Sequence, residues 1–271
     1  MKNKERLDKL LPELGLVETR NKAQALIMSG KVRVNGQVIT KSGALFERSE
    51  KITLDEIQEW ASRGAKKLLR AFEVFNLDIN NKICVDFGAS TGGFTDVMLS
   101  KGAKKVYAVD VGRGQLIWRL ASDSRVVVMD RTNARYLTRE NFEDSINFAG
   151  CDVSFISLKL ILPVIDKILD DSGQAVILIK PQFEAGRGKI SKGVVRDRSV
   201  HAEVLRNITS FIESDTKFFI SGLTHSPITG PEANIEFLCY LTRAESDFFV
   251  NVDSIIDEAY KFFERVKNFN D

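Results

Sequence analysis

The sequence predicts an α/β protein: an open, mostly parallel, doubly wound sheet preceded by a small α+β module. Three observations predict it. From Lys82 onward, apolar runs (KICVDFG, KKVYAVDVG, RVVVMD, CDVSFIS and QAVILIK) alternate with amphipathic helical segments, the pattern of parallel strands joined by crossover helices. The first 60 residues lack that alternation and read instead as helix, helix, hairpin. Finally, 271 residues that are 44% hydrophobic and 28% charged, with only 5 prolines, supply a real core and exclude a disordered chain or a coiled coil. The expected division is 1–60 and 61–271.

In the first module, Leu7, Leu10, Leu11 and Leu14 repeat at helical spacing and Gly15 stops the helix. Thr19 is a good N-cap for a second helix from Arg20 to about Ser29, which Gly30 ends. In KVRVNGQVIT, alternating residues flank Asn35-Gly36, a pair suited to the left-handed angles of a two-residue hairpin. Arg6, Arg20, Lys22, Lys31 and Arg33 could gather on one face for an anionic partner. Solvated charges balanced by Glu5, Asp8, Glu13 and Glu18 are the other reading.

The join EWASRGAKKLLR carries Arg63, Lys66, Lys67 and Arg70 at the opening of the second domain. Helices are expected over 93–101, 115–122 and 158–169 between the strands. A helix over 199–214, strands FFISGLTH and IEFLCYLTR, and a helix over 253–268 extend the same sheet.

Composition narrows function. Lys plus Arg is 39 against 37 for Asp plus Glu, a net charge of +2, so any nucleic-acid surface is a local patch. Cys84, Cys151 and Cys239 lie far apart in apolar runs away from His201 and His225, as expected for buried reduced thiols with no metal or disulfide role. No uncharged apolar run is long enough to span a membrane and MKNKERLDKLL is no signal peptide, so a cytoplasmic protein without stable membrane association is expected.

The most informative motif is VDFGASTGGFTDVML, residues 85–99. A strand ends at Asp86, a turn with Gly88, Gly92 and Gly93 follows, and a helix starts near Phe94, bringing a ligand against backbone N–H groups at a helix start. It is neither a phosphate loop, lacking G-K-[ST], nor the G-x-G-x-x-G of dinucleotide folds. Asp110, ending the next strand, is placed to accept from ribose hydroxyls, and Asp130, ending the third, to read an adenine amino group. Three acids at successive strand ends beside a glycine turn point to an adenosine-type cofactor.

Two resemblances sharpen this. RLDKLLPELGLVETRNKAQALIMSGKVRVNGQVI resembles the small RNA-binding domain named after the fourth protein of the small ribosomal subunit. DFGASTGGFTD, SRGAKKL, CDVSFISL, IKPQFEAGRGK and KGVVRD resemble FtsJ-type S-adenosylmethionine-dependent methyltransferases, and most closely the TlyA family of rRNA 2′-O-methyltransferases, also labelled haemolysins. Ser90-Thr91 stands where FtsJ proteins proper usually carry proline, as in TlyA proteins. The likeness covers nearly the whole chain. It implies S-adenosylmethionine as cofactor, held by Asp86, Gly88, Ser90, Gly92, Gly93, Phe94, Asp110 and Asp130, and no metal. Ribosomal RNA or ribosomal subunits are the implied partners, with a cytidine ribose 2′-hydroxyl as acceptor.

The resemblance further implies a Lys-Asp-Lys-Glu tetrad at Lys67, Asp152, Lys180 and Glu236. A ribose hydroxyl is a poor nucleophile until its proton is removed, and an ordinary lysine, pKa about 10.4, is protonated at pH 7. Burial and a second ammonium lower a lysine's pKa, whereas Asp152 and Glu236 act the other way and hold the lysines in place. Lys180 is therefore given the base or hydroxyl-orienting role, Asp152 the positioning role, and Lys67 and Glu236 supporting roles. The segment KPQFEAGRGKISKGVVRDR, with Arg187 and Lys189, is expected to be a basic flap over the acceptor strand. Phe183 is either a base-stacking ring or a core aromatic. The rival readings are a membrane-lysing haemolysin and an RNA-binding protein without catalysis.

Overall fold

The computed structural model describes residues 4–55 and 60–270. The chain divides into two compact units, Met1–Glu59 and Trp60–Asp271.

In the first unit, β1 (Lys4–Arg6) leads into α1 (Leu7–Glu13), followed by α2 (Arg20–Met28), β2 (Val32–Val34), β3 (Gln37–Ile39), β4 (Leu45–Glu47) and β5 (Ile52–Leu54). Gly15, at φ 70°, takes the chain out of α1, and Thr19 Oγ1 caps α2 by accepting from Lys22 N at 3.2 Å. Asn35 and Gly36 adopt φ of 50° and 83° and turn β2 back into β3. β2 sits between β3 and β5, while β1 pairs with β4. Leu7, Leu11, Ala23, Ile27, Val32 and Val34 form the core between helices and sheet. β1, β4 and β5 have no counterpart in the sequence reading, because three residues are too few to show a period.

The second unit runs α3 (Ala65–Phe75), β6 (Ile83–Phe87), α4 (Gly93–Ser100), β7 (Lys105–Val109), α5 (Trp118–Ala121), β8 (Val126–Met129), β9 (Ile146–Cys151), α6 (Leu162–Ile168), β10 (Leu169–Ile179), α7 (Pro181–Glu184), α8 (Arg198–Asp215), β11 (Phe219–His225), β12 (Phe237–Thr242) and α9 (Val252–Asn270). Its seven strands are ordered β11-β12-β10-β9-β6-β7-β8, and β12 runs antiparallel to both neighbours while the other pairings are parallel. This is the expected doubly wound sheet. Alternate residues of β6 feed opposite layers: Val85 and Phe87 pack with Ile165 and Ile177, and Cys84 packs with Leu68, Phe94 and Met98. All three cysteines are free and buried.

Three expected boundaries change. CDVSFIS is not a strand: β9 ends at Cys151, Asp152 N makes a last hydrogen bond to Phe87 O at 3.0 Å, and Phe155 leaves the extended region with φ 63°. The helix expected over 158–169 splits into a 3-10 turn, Leu158–Leu160, and α6, because Pro163 favours a fresh helix start. The helix expected over 115–122 shortens to α5, whose first N–H groups follow an extended Ile117. Strand order reverses between β6 and β9, and a crevice opens beyond the carboxyl ends of the strands there.

Candidate active site

That crevice is a pocket of about 340 Å³, walled by the turn after β6 (Gly88, Ser90), the loop after β7 (Asp110, Val111, Gln115), the segment Thr132–Ala134, and the loop after β9 (Asp152–Ile156). Gly88, at φ 82°, lets two loops meet: a β-carbon there would lie 3.0 Å from Asp152 O and 3.2 Å from Val153 Cα. Asp110 organises the floor by accepting from Ser90 N at 2.8 Å and Gly112 N at 2.7 Å. A carboxylate has about four acceptor positions, so Asp110 keeps capacity for a ligand's hydroxyls.

Of the eight residues expected to hold a cofactor, Gly88, Ser90 and Asp110 line this pocket. The other five are not among its lining residues. Asp86 is fully buried, accepting at Oδ2 from Thr95 N at 2.8 Å and Thr95 Oγ1 at 2.7 Å, which ties β6 to the first turn of α4. Its Oδ1 has no partner among the described residues, and burial pushes the carboxyl pKa up to about 7. Gly92 makes room for a neighbour, since a β-carbon there would fall 2.3 Å from Leu120 Cδ1. Gly93 admits the start of the domain in the same way, 2.2 Å from Ser62 Oγ. Phe94 packs in the core beneath the sheet, and Asp130 accepts from Gly114 N at 2.7 Å, bracing the loop after β7. The remaining walls, Val111, Gln115, Thr132–Ala134 and Val153–Ile156, were not foreseen; the only signal available was their position just after strands.

The four tetrad residues, spread over 170 positions, converge beside this pocket. Lys67 comes from α3, Asp152 from the end of β9, Lys180 from the end of β10 and Glu236 from just before β12. Lys180 Nζ lies 2.6 Å from Asp152 Oδ1, and Lys67 Nζ lies 3.2 Å from Asp152 Oδ2 and 2.8 Å from Glu236 Oε2. Gln182 Nε2 donates to Glu236 Oε1 at 3.2 Å. Burial opposes the charge on Lys67, but Asp152 and Glu236 together outweigh it and raise the lysine's pKa, so Lys67 stays an ammonium. Lys180 has a different environment. Beyond the Asp152 carboxylate it donates to Ser154 Oγ at 2.9 Å and to Asp152 O at 3.3 Å, so an arriving hydroxyl has a weak partner to displace. Asp152 belongs to both the tetrad and the pocket wall. Phe183 is partly buried, its ring centroid 5.0 Å from that of Phe155, which is 90% exposed at the pocket rim.

The basic residues expected to meet RNA are mostly held in ion pairs. Arg6 forks onto Asp8 at 3.0 and 2.9 Å, and Arg20 reaches the same carboxylate at 3.2 and 3.0 Å. Asp8 is fully buried and also accepts from Gln24 Nε2 at 2.8 Å; the Arg6 hydrogen bonds, aided by Gln24 and Arg20, hold its carboxyl far below the usual range. Lys22 pairs with Glu18, Arg33 with Asp55, and Lys189 with Glu203. Lys31 is half-buried at the start of β2, and the side chain of Arg187 lies outside the described residues.

Residues 60–243 match the FtsJ-like methyltransferase family, and residues 5–52 match the S4 domain. Bacillus subtilis YqxC, labelled an rRNA methyltransferase, is 49% identical over 88% of this chain and 85% of its own. Mycobacterium tuberculosis TlyA, labelled a 16S/23S rRNA (cytidine-2′-O)-methyltransferase, is 37% identical over 96% of this chain and 98% of its own. A solved structure from Streptococcus thermophilus, labelled a hemolysin, is 45% identical and superposes with a TM-score of 0.76, covering 99% of this chain and 100% of that one. Among the described residues, no helix is long and apolar enough to cross a membrane.

Proposed function

The chain belongs to the FtsJ-like methyltransferase family, and on that premise we propose that it methylates the ribose 2′-hydroxyl of a cytidine in ribosomal RNA, with S-adenosylmethionine as donor. The observation that carries the reading is the shared wall: the carboxylate that orders both lysines also lines the nucleoside-sized pocket. The pocket fits the donor. Asp110 retains acceptor positions for ribose hydroxyls, Val111, Ala134 and Ile156 offer apolar surface for a purine, and the close approach at Gly88 leaves a smooth backbone floor. When bound, S-adenosylmethionine supplies an electrophilic methyl group on a sulfonium leaving group.

The chain's own residues handle the acceptor. Lys180 is the proton acceptor for the 2′-hydroxyl, or its orienting partner, and Ser154 and Asp152 fix the lysine's direction. Lys67, held as a cation between Asp152 and Glu236, neutralises the carboxylate that would otherwise bind Lys180 too firmly. Glu236, fully buried, is the counter-ion that keeps Lys67 there. Such a site works by alignment and by holding one proton, and needs no metal in the set. The first unit, with Arg6, Arg20, Lys22, Lys31 and Arg33, docks the RNA. In the second unit, Arg187 and Lys189 are the residues we assign to RNA phosphates.

The test is methylation of ribosomal subunits, with and without this protein, followed by mapping of ribose methylation in rRNA. One new 2′-O-methylcytidine that depends on S-adenosylmethionine is expected. Methyl groups only on bases, or on no RNA, would reject the reading.

A further inference from the structure

The basic flap is built around a hairpin. Ser191 and Val194 exchange backbone hydrogen bonds at 3.0 and 2.9 Å, and Lys192 and Gly193 take φ of 48° and 79° at the tip, as a two-residue turn requires. Lys192 and Arg196 are exposed, whereas Val194 and Val195 are buried. One side chain holds the buried half. Asn234, 2% exposed, donates from Nδ2 to Gly193 O and Pro231 O, both at 3.0 Å, and accepts at Oδ1 from Val195 N at 3.1 Å.

The same residue closes a loop against the tetrad. Gly230 N donates to Asn234 O at 2.9 Å and Asn234 N to Pro231 O at 3.2 Å. Between them Glu232 and Ala233 are held at φ of 55° and 62°, a conformation that residues bearing a β-carbon adopt only under constraint. Gly230 lies flat on Glu236: a β-carbon there would fall 2.2 Å from Oε1. Ser226 N, donating to Glu236 O at 2.8 Å, fixes the backbone beside it. A strained loop tied by one amide thus backs the carboxylate that pairs with Lys67.

We propose that Asn234 is a positioning residue that joins the RNA-facing hairpin to the tetrad, so that the acceptor strand and the catalytic lysines share one frame. It touches no reacting atom. It acts on the hairpin through Gly193 and Val195, and on Glu236 through the loop that ends in Gly230. Only a planar amide offers two donors and an acceptor at one point; aspartate keeps the bond from Val195 N alone, and alanine keeps none. The effect on turnover rests on the rRNA methyltransferase reading; the mechanical link does not.

The experiment uses the full chain with Asn234→Ala, Asn234→Asp and Gly230→Ala. S-adenosylmethionine affinity, tryptic cleavage after Lys192 and Arg196 without RNA, and steady-state methylation of ribosomal subunits are measured on each. For Asn234→Ala we expect cofactor affinity within about twofold of wild type, hairpin cleavage about tenfold faster, and kcat about tenfold lower with a raised KM for RNA, the scale set by losing buried hydrogen bonds. Asn234→Asp sets a buried carboxylate oxygen against Gly193 O and Pro231 O where the amide donated, so its hairpin should be cut at least as fast as that of Asn234→Ala. Gly230→Ala displaces Glu236 but leaves the Asn234 bonds, so kcat should fall while hairpin cleavage stays at the wild-type rate. Wild-type cleavage and turnover in a cofactor-binding Asn234→Ala protein overturns the proposal, as does a Gly230→Ala hairpin cut as fast as that of Asn234→Ala. If Asn234→Ala does not fold, wild-type cleavage of Asn234→Asp overturns it equally. Faster cleavage of Asn234→Ala in a protein whose wild type methylates no rRNA supports the link and rejects the rRNA reading alone.

Discussion

Asp8 in the first unit and Asp152 in the second each hold two cations, yet they make different surfaces. Asp8 is fully buried, while Arg6 and Arg20 remain 44% and 49% exposed; the carboxylate is a hidden anchor and the guanidinium edges face water. At Asp152 the order inverts, for the carboxylate is 16% exposed and the Lys67 and Lys180 side chains only 9% and 8%. A half-exposed guanidinium with its charge permanently in place suits a phosphate, which is bound by fixed donors and released counter-ions. A buried lysine suits a hydroxyl, because its proton can be moved. Asp86 supplies the third case: buried with no cation paired to it among the described residues, it is pushed toward the protonated form.

The largest expected effect breaks the second cluster. Lys180→Ala should lower single-turnover methyl transfer by about 10³-fold, the scale of losing a proton acceptor, with cofactor and RNA affinities within a few-fold. Lys180→Arg is the sharper variant. A guanidinium keeps the charge beside Asp152 but cannot give up its proton, so the rate should stay low. Near wild-type transfer by the arginine variant would show that position 180 supplies charge alone, and Asp152 would then be an anchor of the Asp8 kind.

Next in size is Asp8→Asn, which adds one positive charge to the first unit while removing what orients Arg6 and Arg20. Simple electrostatics predicts tighter RNA binding; loss of the fixed fork predicts weaker binding, by several-fold, and weaker is expected. The charge-assisted hydrogen bonds also stabilise the unit, weakly because the guanidiniums are solvated. Because the folded Asp8 carboxyl is depressed, that stability is complete above the ordinary carboxyl pKa, about 4, and is lost as pH falls below it. Hydrogen exchange at Leu10 and Leu11 in the full chain reads this directly: the wild type should lose protection below about pH 4, and the variant should lack that step.

How far this could be read from the chain differs between the two units and between kinds of residue. The hairpin at Asn35-Gly36 and the cap at Thr19 were legible because each uses local chemistry that few other residues supply. The tetrad was legible only through family resemblance, since no spacing rule joins Lys67 to Glu236; the fold alone brings them within 2.8 Å. Gly92 and Gly93 show what the glycine signal reports, which is close approach: Leu120 and Ser62 occupy the space a β-carbon would need. Likewise the apolar pattern of CDVSFIS continues past the end of β9, because Val153 and Ile156 pack on the core from a loop.

A smaller effect separates Asp86 from both clusters. Its raised pKa means that the folded protein binds a proton that the unfolded chain releases near pH 4, so its contribution falls as pH rises from about 4 to about 7. Asp86→Asn should remove that slope. His201, lowered to about 4 by burial, contributes with the opposite sign over a similar range, so the informative quantity is the difference between variant and wild type. The Tm of Asp86→Asn relative to wild type should rise by about a few degrees between pH 4 and pH 7. A constant difference would mean that Asp86 titrates alike in the folded and unfolded protein.

The smallest expected effect on stability concerns Lys22, and it tests whether exposure alone marks the docking surface. Lys22 pairs with Glu18 one turn earlier, at 48% and 82% side-chain exposure, a contact that water and salt largely cancel. Lys22→Ala should therefore leave Tm within about 1 °C of wild type. RNA binding should respond differently. If Lys22 meets a phosphate, the plot of log affinity against log salt should lose about one unit of slope, because one fewer counter-ion is released. Arg6→Ala should lose a similar slope and also lower protection at Leu10 and Leu11, because Asp8 loses a partner. Unchanged salt slopes in both variants would place the RNA on another face of the first unit and make the Asp8 cluster an element of its fold only.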